Sequence, residues 1–407
     1  MRRREVLVTV LSGFGAGCLR TTGEGTPTSR NGETTSSATA VSTATVSGDD
    51  GQPTATSEDG DTGTEPPLDV EVETRWEAPY GTDKNPHIHH GTDIIVGSPK
   101  SSFARLSRAD GSVVWELSVP GDHGESWTSS TLADGLVLFG GGTTFYAVDV
   151  DTGELAWQTA IPAAASPAEG TTTECVVSGG IALFSFEYTL SDGTNRAGLA
   201  GVDVATGELR WQRSHERMTD AFDSWLGVQS LSPAIGGRTI VGGWNTDFWV
   251  DIATGAIGDD ASAGAKYGSV RSGDHLYLTD YDDLYAYRIA NESLTEAWTF
   301  EPLGRASSRP KVADGAIYFA ADDSGIYAVR NGEQQWRFQA SRIIYTAPAV
   351  TDSWVWASGS DLSIIDRETG RGTTPSGVTV RPDILSGHGD TAFISSDRRT
   401  VAYSVRE

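Results

Sequence analysis

From residue 68 onward the apolar residues come in short runs that alternate with polar positions and are broken by Gly, Asp or Asn. Leu132-Ala133 is followed by Asp134-Gly135 and then by Leu136-Val137-Leu138-Phe139. Val312-Ala313 is followed by Asp314-Gly315 and then by Ala316-Ile317-Tyr318-Phe319. Asp-Gly supplies the positive-φ residues that tight hairpins need, and the flanking runs have the length of strands. No apolar period of 3.6 residues extends over a useful length, so this part of the chain is predicted to be all β.

The strands recur in units. The fullest copies are Ala147-Val148-Asp149-Val150-Asp151-Thr152-Gly153-Glu154-Leu155-Ala156-Trp157 and Gly201-Val202-Asp203-Val204-Ala205-Thr206-Gly207-Glu208-Leu209-Arg210-Trp211. Shorter copies end at Trp115, Trp298 and Trp336. Two more keep the Asp and the Thr-Gly but lack the Trp, at Asp251…Thr254-Gly255 and Asp366…Thr369-Gly370. A final copy, Thr400–Val405, ends the chain. Eight units of roughly 42 residues predict an eight-bladed β-propeller, one four-stranded sheet per unit, over residues 68–407. Val70–Trp76 reads as an outer strand with no partners beside it, while the last unit, 378–407, lacks an outer strand. Residues 70–76 are therefore expected to close the eighth blade, which protects open sheet edges. In each turn the Gly avoids a Cβ clash and the Asp can accept backbone N–H groups. The Trp is a large apolar anchor whose indole N–H needs a partner at a blade junction. The expected blade-docking residues are Trp76, Trp115, Trp157, Trp211, Trp298 and Trp336.

The Ala-x-Asp-x-x-Thr-Gly-Glu-x-x-Trp unit resembles the tryptophan-docking repeat of pyrroloquinoline-quinone-type (PQQ-like) β-propellers. That group includes quinoprotein alcohol dehydrogenases and BamB-like assembly lipoproteins. The resemblance implies the propeller fold over about 68–407. It does not choose between enzyme and scaffold, because one fold hosts both. The dehydrogenases of the group are much longer chains. They pair an Asp base with a Ca²⁺-bound quinone, and many carry two adjacent Cys beside it. Here Cys18 and Cys175 stand alone and far apart, and no Asp can be assigned as the base.

Ahead of the repeats lies a different pattern. Three Arg precede an apolar stretch from Val6 to Ala16, too short to span a bilayer as a helix. Residues 1–17 therefore read as a signal peptide. Arg3-Arg4-Glu5-Val6-Leu7 resembles a twin-arginine export signal, and Gly15-Ala16-Gly17-Cys18 resembles a lipobox with Cys18 as the lipidated residue. Residues 18–67 are rich in Thr, Ser, Gly and acid and have almost no large apolar side chain. Such a segment cannot bury enough surface to offset its chain entropy, so it reads as a disordered linker.

Composition narrows the partners. The 407 residues carry 55 Asp plus Glu against 30 Lys plus Arg, a formal net charge of −25. Nucleic acid is excluded as a partner, because phosphate backbones are bound by clustered Lys and Arg. An acidic, Lys-poor surface is the halophilic pattern, in which charge keeps a protein soluble at high salt. Two Cys exclude a disulfide-built fold.

Few residues carry chemistry. In a strand His87 and His89 would share a face with His90 opposite, and a third ligand such as His123 or an acid would come from the next blade. The alternative is that these imidazoles are polar residues around the funnel mouth. The acidic turns Asp280–Asp283 and Asp322–Gly325 match no defined Ca²⁺ loop. Neither PQQ nor Ca²⁺ finds support in the residues. Asn291-Glu292-Ser293 is an N-glycan acceptor pattern.

Loops that join an outer strand to the next inner strand gather on one face. They hold Arg305, Arg309, Lys311, Arg342 and Arg381 with Trp127, Trp225, Tyr267 and Tyr345. Arg and aromatics are the usual hot-spot types at protein interfaces. The expected protein is a non-enzymatic, BamB-like scaffold module, exported and lipid-anchored on the outer face of the cytoplasmic membrane. It would act as a monomer that binds a protein or peptide at the funnel face. A quinone- or metal-dependent oxidoreductase and a glycan-binding module are the alternatives.

Overall fold

A computed structural model of the chain describes residues 68–82, 86–97, 102–118, 130–141, 144–161, 175–189, 195–214, 228, 230–243, 247–261, 263, 267–359, 361–375, 383–396 and 399–406. Every described element is a strand or a turn. Strand β1 (Glu71–Ala78) comes first in the chain. Blade 1 follows with β2 (Ile88–His90), β3 (Asp93–Gly97), β4 (Ser102–Ser107) and β5 (Val113–Ser118). Blade 2 is β6 (Thr131–Ala133), β7 (Leu136–Gly141), β8 (Thr144–Asp149) and β9 (Leu155–Ala160). Blade 3 is β10 (Val176–Ser178), β11 (Ile181–Thr189), β12 (Asn195–Asp203) and β13 (Leu209–Ser214). Blade 4 is β14 (Ser230–Leu231), β15 (Arg238–Gly242), β16 (Asp247–Asp251) and β17 (Ile257–Asp260). Blade 5 is β18 (Gly268–Ser272), β19 (His275–Thr279), β20 (Leu284–Ala290) and β21 (Ser293–Phe300). Blade 6 is β22 (Lys311–Ala313), β23 (Ala316–Ala320), β24 (Gly325–Arg330) and β25 (Glu333–Gln339). Blade 7 is β26 (Ala349–Val350), β27 (Trp354–Ser358), β28 (Leu362–Asp366) and β29 (Gly372–Thr373). Blade 8 is β30 (Ile384–His388), β31 (Thr391–Ser396) and β32 (Arg399–Arg406), completed by β1.

Each sheet is antiparallel and four-stranded, so the eight blades expected from the repeat are present. Strand β1 pairs antiparallel with β32 from Glu71 opposite Arg406 to Ala78 opposite Thr400, with a bulge between Thr74 and Trp76. Both ends of the ring thus share one sheet.

Among the described residues no single central core exists. Eight apolar clusters form, one at each seam between adjacent blades. A blade buries both faces against its neighbours, which is why β3, β23 and β27 are buried at every position rather than at alternate ones. The eighth cluster joins Trp76, Ala78 and Phe393 of blade 8 to Ile94, Val96 and Leu106 of blade 1, so apolar packing closes the circle.

A repeated lock reinforces the seams. Trp115 of blade 1 donates its Nε1 to Val150 O of blade 2 at 2.9 Å. The same bond joins Trp157 to Val204 O at 2.8 Å and Trp211 to Ile252 O at 3.0 Å. It also joins Trp336 to Arg367 O at 2.9 Å and Trp76 to Arg108 O at 2.9 Å. The acceptor always lies three residues before a turn Gly. At Gly153, Gly207 and Gly370 φ is +73°, and an added Cβ would stand 2.5–2.7 Å from the docked indole. The Asp of the turn holds the loop in shape: Asp149 Oδ1 accepts from Thr152 N at 2.8 Å and from Asp151 N at 3.0 Å. Backbone geometry and Trp placement therefore depend on each other.

Two seams differ. Trp298 of blade 5 faces a two-residue turn, Asn331-Gly332, which lacks the carbonyl that accepts at the other seams. The indole is half-buried, faces Gly332, and makes no comparable bond. At the blade 4–5 seam Asp259 stands in the Trp position and Glu292 in the turn. There Arg238 lies 4.7 Å from the centroid of Trp249 and donates to Glu292 O at 2.8 Å. A cation stacked on an indole replaces the docked indole.

Candidate functional site

Successive strands run in opposite directions. The turn between the second and third strands of a blade therefore shares a face with the loop leading to the next blade. Over blades 5 to 7 this face carries a ridge of exposed apolar side chains. Leu303 is 82% exposed, Tyr345 64%, Ile343 40% and Tyr267 38%. Large apolar side chains left in water on adjacent loops mark an interaction site more often than a folding requirement.

The ridge is held rigidly. Tyr327 OH donates to Asp323 Oδ2 at 2.7 Å and accepts from Leu303 N–H at 3.1 Å. Arg337 donates Nε to the same hydroxyl at 3.0 Å and Nη2 to Asp323 Oδ2 at 2.7 Å. Arg305 N–H donates to Asp322 Oδ1 at 2.7 Å, and Arg305 O accepts from Asp322 N at 2.9 Å. Gly304 sits so close to Asp322 and Asp323 that a Cβ would be 2.6 Å from them. A half-buried polar network thus fixes the backbone on both sides of an exposed leucine. Ser307 Oγ donates to Ile344 O at 2.7 Å, which ties this loop to the next one, bearing Ile343 and Tyr345. Thr346 Oγ1 donates to Ser358 O at 2.9 Å and anchors the far side.

The electrostatics of the ridge are mixed. Burial raises the Tyr267 phenol above its ordinary range, and Tyr345 and Asp322 add to the rise while Arg305 opposes it. Burial first, and then Tyr267, pushes Tyr281 up to about 12. These two rings meet edge to face at 5.4 Å. Arg305 Nε lies 3.9 Å from Asp282 and remains largely in solvent, and Arg342 is exposed. Burial alone would raise the Asp323 carboxyl, but the hydrogen bonds from Tyr327, Arg337 and Gly325 N–H together outweigh it and leave the carboxyl below its ordinary value, so Asp323 and Arg337 form an ion pair at neutral pH.

Of the residues expected on this face, Arg305, Arg342, Tyr267 and Tyr345 come together. Arg309 and Lys311 stand apart. Arg309 lays its side chain along Gly268 and donates Nε to Ser269 O at 3.0 Å, on the wall of the central channel. Lys311 is on β22, the inner strand of blade 6. Trp127, Trp225, Arg381 and His123 lie outside the described residues, as do Arg3, Arg4 and Cys18. Leu303 and Ile343 were not singled out from the sequence. Their signal, lone apolar residues within otherwise polar loops, is weak. Asp323, Tyr327 and Arg337 come from a turn and two strands and have no local signature as a group.

The histidines are placed differently from the metal arrangement considered above. His87 and His89 do share a face, but it turns to the preceding blade and not the next. His87 is buried, with Nδ1 2.8 Å from Ser386 Oγ and Nε2 2.6 Å from Ser395 Oγ. His89 Nε2 is 3.0 Å from Ser386 Oγ, and Arg108 donates to its Nδ1 at 3.4 Å. The ring stacks on His388 at 5.5 Å. Burial, with His89 and then Lys311 adding positive charge, lowers His87 to about 3. Burial, Arg108, His388 and Lys311 lower His89 to about 4. Imidazoles bonded at both nitrogens and surrounded by cations are poor ligands. Among the described residues no three His, Cys, Asp or Glu side chains form a metal-holding group. Ca²⁺ takes carboxylate and carbonyl oxygens, and among the described residues no cluster of three acids, His or Cys forms a cradle for it. Cys175 is buried on the channel wall.

An eight-bladed ring with indole-docked seams defines a PQQ-like β-propeller. Residues 69–293 and 236–374 match the family described as outer membrane protein assembly factor BamB, and the chain belongs to that family. Among solved structures it is similar to BamB from Moraxella catarrhalis, with a TM-score of 0.59 at 15% identity, covering 82% of this chain and 98% of that one. It is equally similar to the computationally designed Ika8 protein, with a TM-score of 0.59 at 15% identity over 81% of this chain and 99% of that one. The quinohemoprotein alcohol dehydrogenase ADHIIG from Pseudomonas putida HK5 gives a TM-score of 0.60 at 12% identity, covering 82% of this chain and 76% of that one. No curated protein matches in sequence.

Proposed function

We propose that this chain is a non-enzymatic, extracytoplasmic propeller that holds a protein or peptide partner on the loop face over blades 5 to 7. The observation that carries the reading is Leu303, held exposed by the Tyr327–Asp323–Arg337 network. A polar network that fixes an exposed apolar side chain removes loop entropy from a binding event, the general route by which a surface is preorganised. Membership of a family described as an outer membrane protein assembly factor supports a protein partner. The Arg3-Arg4 signal, a lipid on Cys18 and the 18–67 linker would export the ring, tether it and lift it from the membrane.

The test is affinity capture from native membranes at native salt with the full chain and with a Leu303→Asp/Tyr345→Ala variant. Partners retained by the natural chain and lost by the variant support the reading. Equal capture by both overturns it. The fold likeness to the quinohemoprotein dehydrogenase favours one rival, a quinone-dependent oxidoreductase. Purified chain that takes up a redox chromophore in the presence of Ca²⁺ would replace the scaffold reading with that one.

A further inference from the structure

In several blades the Trp of the outer strand stands opposite a small residue of the third strand. Trp157 is opposite Ala147, Trp211 opposite Gly201, Trp298 opposite Ala286 and Trp336 opposite Ala328. Blade 4 reverses this order. Its register pairs Phe248 with Asp260 and Val250 with Ile257, so Trp249 of the third strand stands where the small residue is elsewhere. Gly258 and Asp259 of the outer strand lie opposite it, and a Cβ on Gly258 would be 3.1 Å from the Trp249 side chain. The large ring has moved one strand inward, and space is left beside the outer strand.

That space is a cavity of about 310 Å³ between β17 and β21, lined by Trp249, Arg238, Asp259, Asp260 and Glu292 among others. Its size is at the lower end for small-molecule sites, about 300–1,000 Å³. Trp249 is half-buried, and Asp259 and Asp260 are exposed. Among the described residues neither of these two carboxylates has a hydrogen-bond or ion-pair partner, and the Trp249 indole N–H has no acceptor. Arg238 is held in place. It stacks on the indole at 4.7 Å and donates Nη2 to Glu292 O at 2.8 Å. Glu292 in turn lays its side chain over Gly236 of blade 4.

This lining discriminates between ligands. An anion would meet the carboxylates of Asp259, Asp260 and Glu292. A ligand cation would meet Arg238, which already makes the cation–π contact on the indole. A neutral, hydroxyl-rich ring uses both kinds of group. Its hydroxyls donate to Asp259 and Asp260 and accept from Arg238 and from the indole N–H, while its C–H groups pack against the indole edge and Leu294.

From this arrangement we infer that the seam between blades 4 and 5 is a saccharide-binding site that takes a neutral hexose unit, with Asp259 and Asp260 as acceptors and Arg238 and Trp249 as donors. The sugar has two sources, a saccharide from outside or a glycan on Asn291, which precedes Glu292 in the same exposed turn. The site shares no residue with the ridge on the loop face and is independent of the partner proposed there.

The experiment is saturation-transfer NMR on the full chain at fixed salt, with glucose, galactose, mannose and maltose as neutral probes and protonated glucosamine as the cationic comparison. At least one neutral probe is expected to bind. Asp259→Ala/Asp260→Ala is expected to weaken it about tenfold or more, the loss of charge-assisted contacts. Both side chains are exposed and bond to nothing described, so this variant keeps the fold. Glu333→Gln, at the matching turn of blade 6, is expected to bind as the natural chain does. Parallel titration of Asn291→Gln, with the mass of the natural peptide that holds Asn291, separates the sources. Equal binding by both chains assigns the site to an outside saccharide. Binding by Asn291→Gln alone, with a glycan on natural Asn291, assigns it to the chain's own glycan. No neutral probe bound by either chain, binding unchanged in the double variant, or binding of protonated glucosamine alone would each overturn the inference.

Discussion

Trp157 rests against Gly207 of the next blade and donates its indole N–H to Val204 O at 2.8 Å. Neither residue tolerates change without the other. The turn needs positive φ at Gly207, and the indole occupies the space a Cβ would fill.

Gly207→Ala is expected to cost about 2–4 kcal/mol, combining left-handed backbone strain with overpacking against the indole. Gly135 also has positive φ but faces open space. Gly135→Ala is therefore expected to cost only about 1 kcal/mol, the backbone part alone. Urea unfolding of both variants at fixed salt separates the two contributions, and equal losses would remove the packing argument.

Trp157→Phe and Trp298→Phe should differ. The first loses a buried hydrogen bond and leaves Val204 O unpaired, while the second has no such bond to lose. The expected gap is about 1 kcal/mol, with Trp157→Phe the weaker protein. The comparison uses the same unfolding assay.

Acid should weaken the seam between blades 8 and 1. His87 and His89 hold pKa values of about 3 and about 4 in the folded chain, below the ordinary value of 6.5. Between those values the unfolded chain binds more protons than the folded one. Stability is thus full above about pH 6.5 and falls as pH drops toward 4 and then 3. The slope is up to about 1.4 kcal/mol per pH unit for each group. A His87→Gln variant is expected to show a shallower decline across this window. Denaturant midpoints from pH 7 to pH 4 provide the check, and parallel curves would mean that these rings are not responsible.

Tyr327→Phe removes one hydroxyl that serves Leu303 N–H, Asp323 and Arg337 at once. The ring stays, so the blade is expected to fold with a loss of about 1–3 kcal/mol from the unsatisfied partners. Amide exchange at Leu303 should quicken while exchange in β23 stays slow. Unchanged exchange at Leu303 would show that the loop is held by other bonds.

Much of this architecture was legible along the chain. Turn dipeptides such as Asp134-Gly135 and Asn331-Gly332 act through their own φ angles, and short apolar runs make strands whatever lies beside them. The repeat of Asp, Thr-Gly and Trp counted the blades, because each unit uses the same local geometry. The ridge was legible only in part. Arg305, Arg342, Tyr267 and Tyr345 drew attention by type, while Leu303 and the network that holds it did not.

Sequence alone therefore determined the strands, the turns and the number of blades, all of which depend on neighbours a few residues apart. The tertiary structure decided the rest. Trp and turn Gly meet across roughly forty residues, and His87 reaches Ser386 and Ser395 across about three hundred, only because the ring closes. Closure also separates Arg309, turned onto the channel wall, from Arg305, left on the loop face. Four residues apart in the chain, they face different surroundings, because one precedes an inner strand and the other sits in the loop above it.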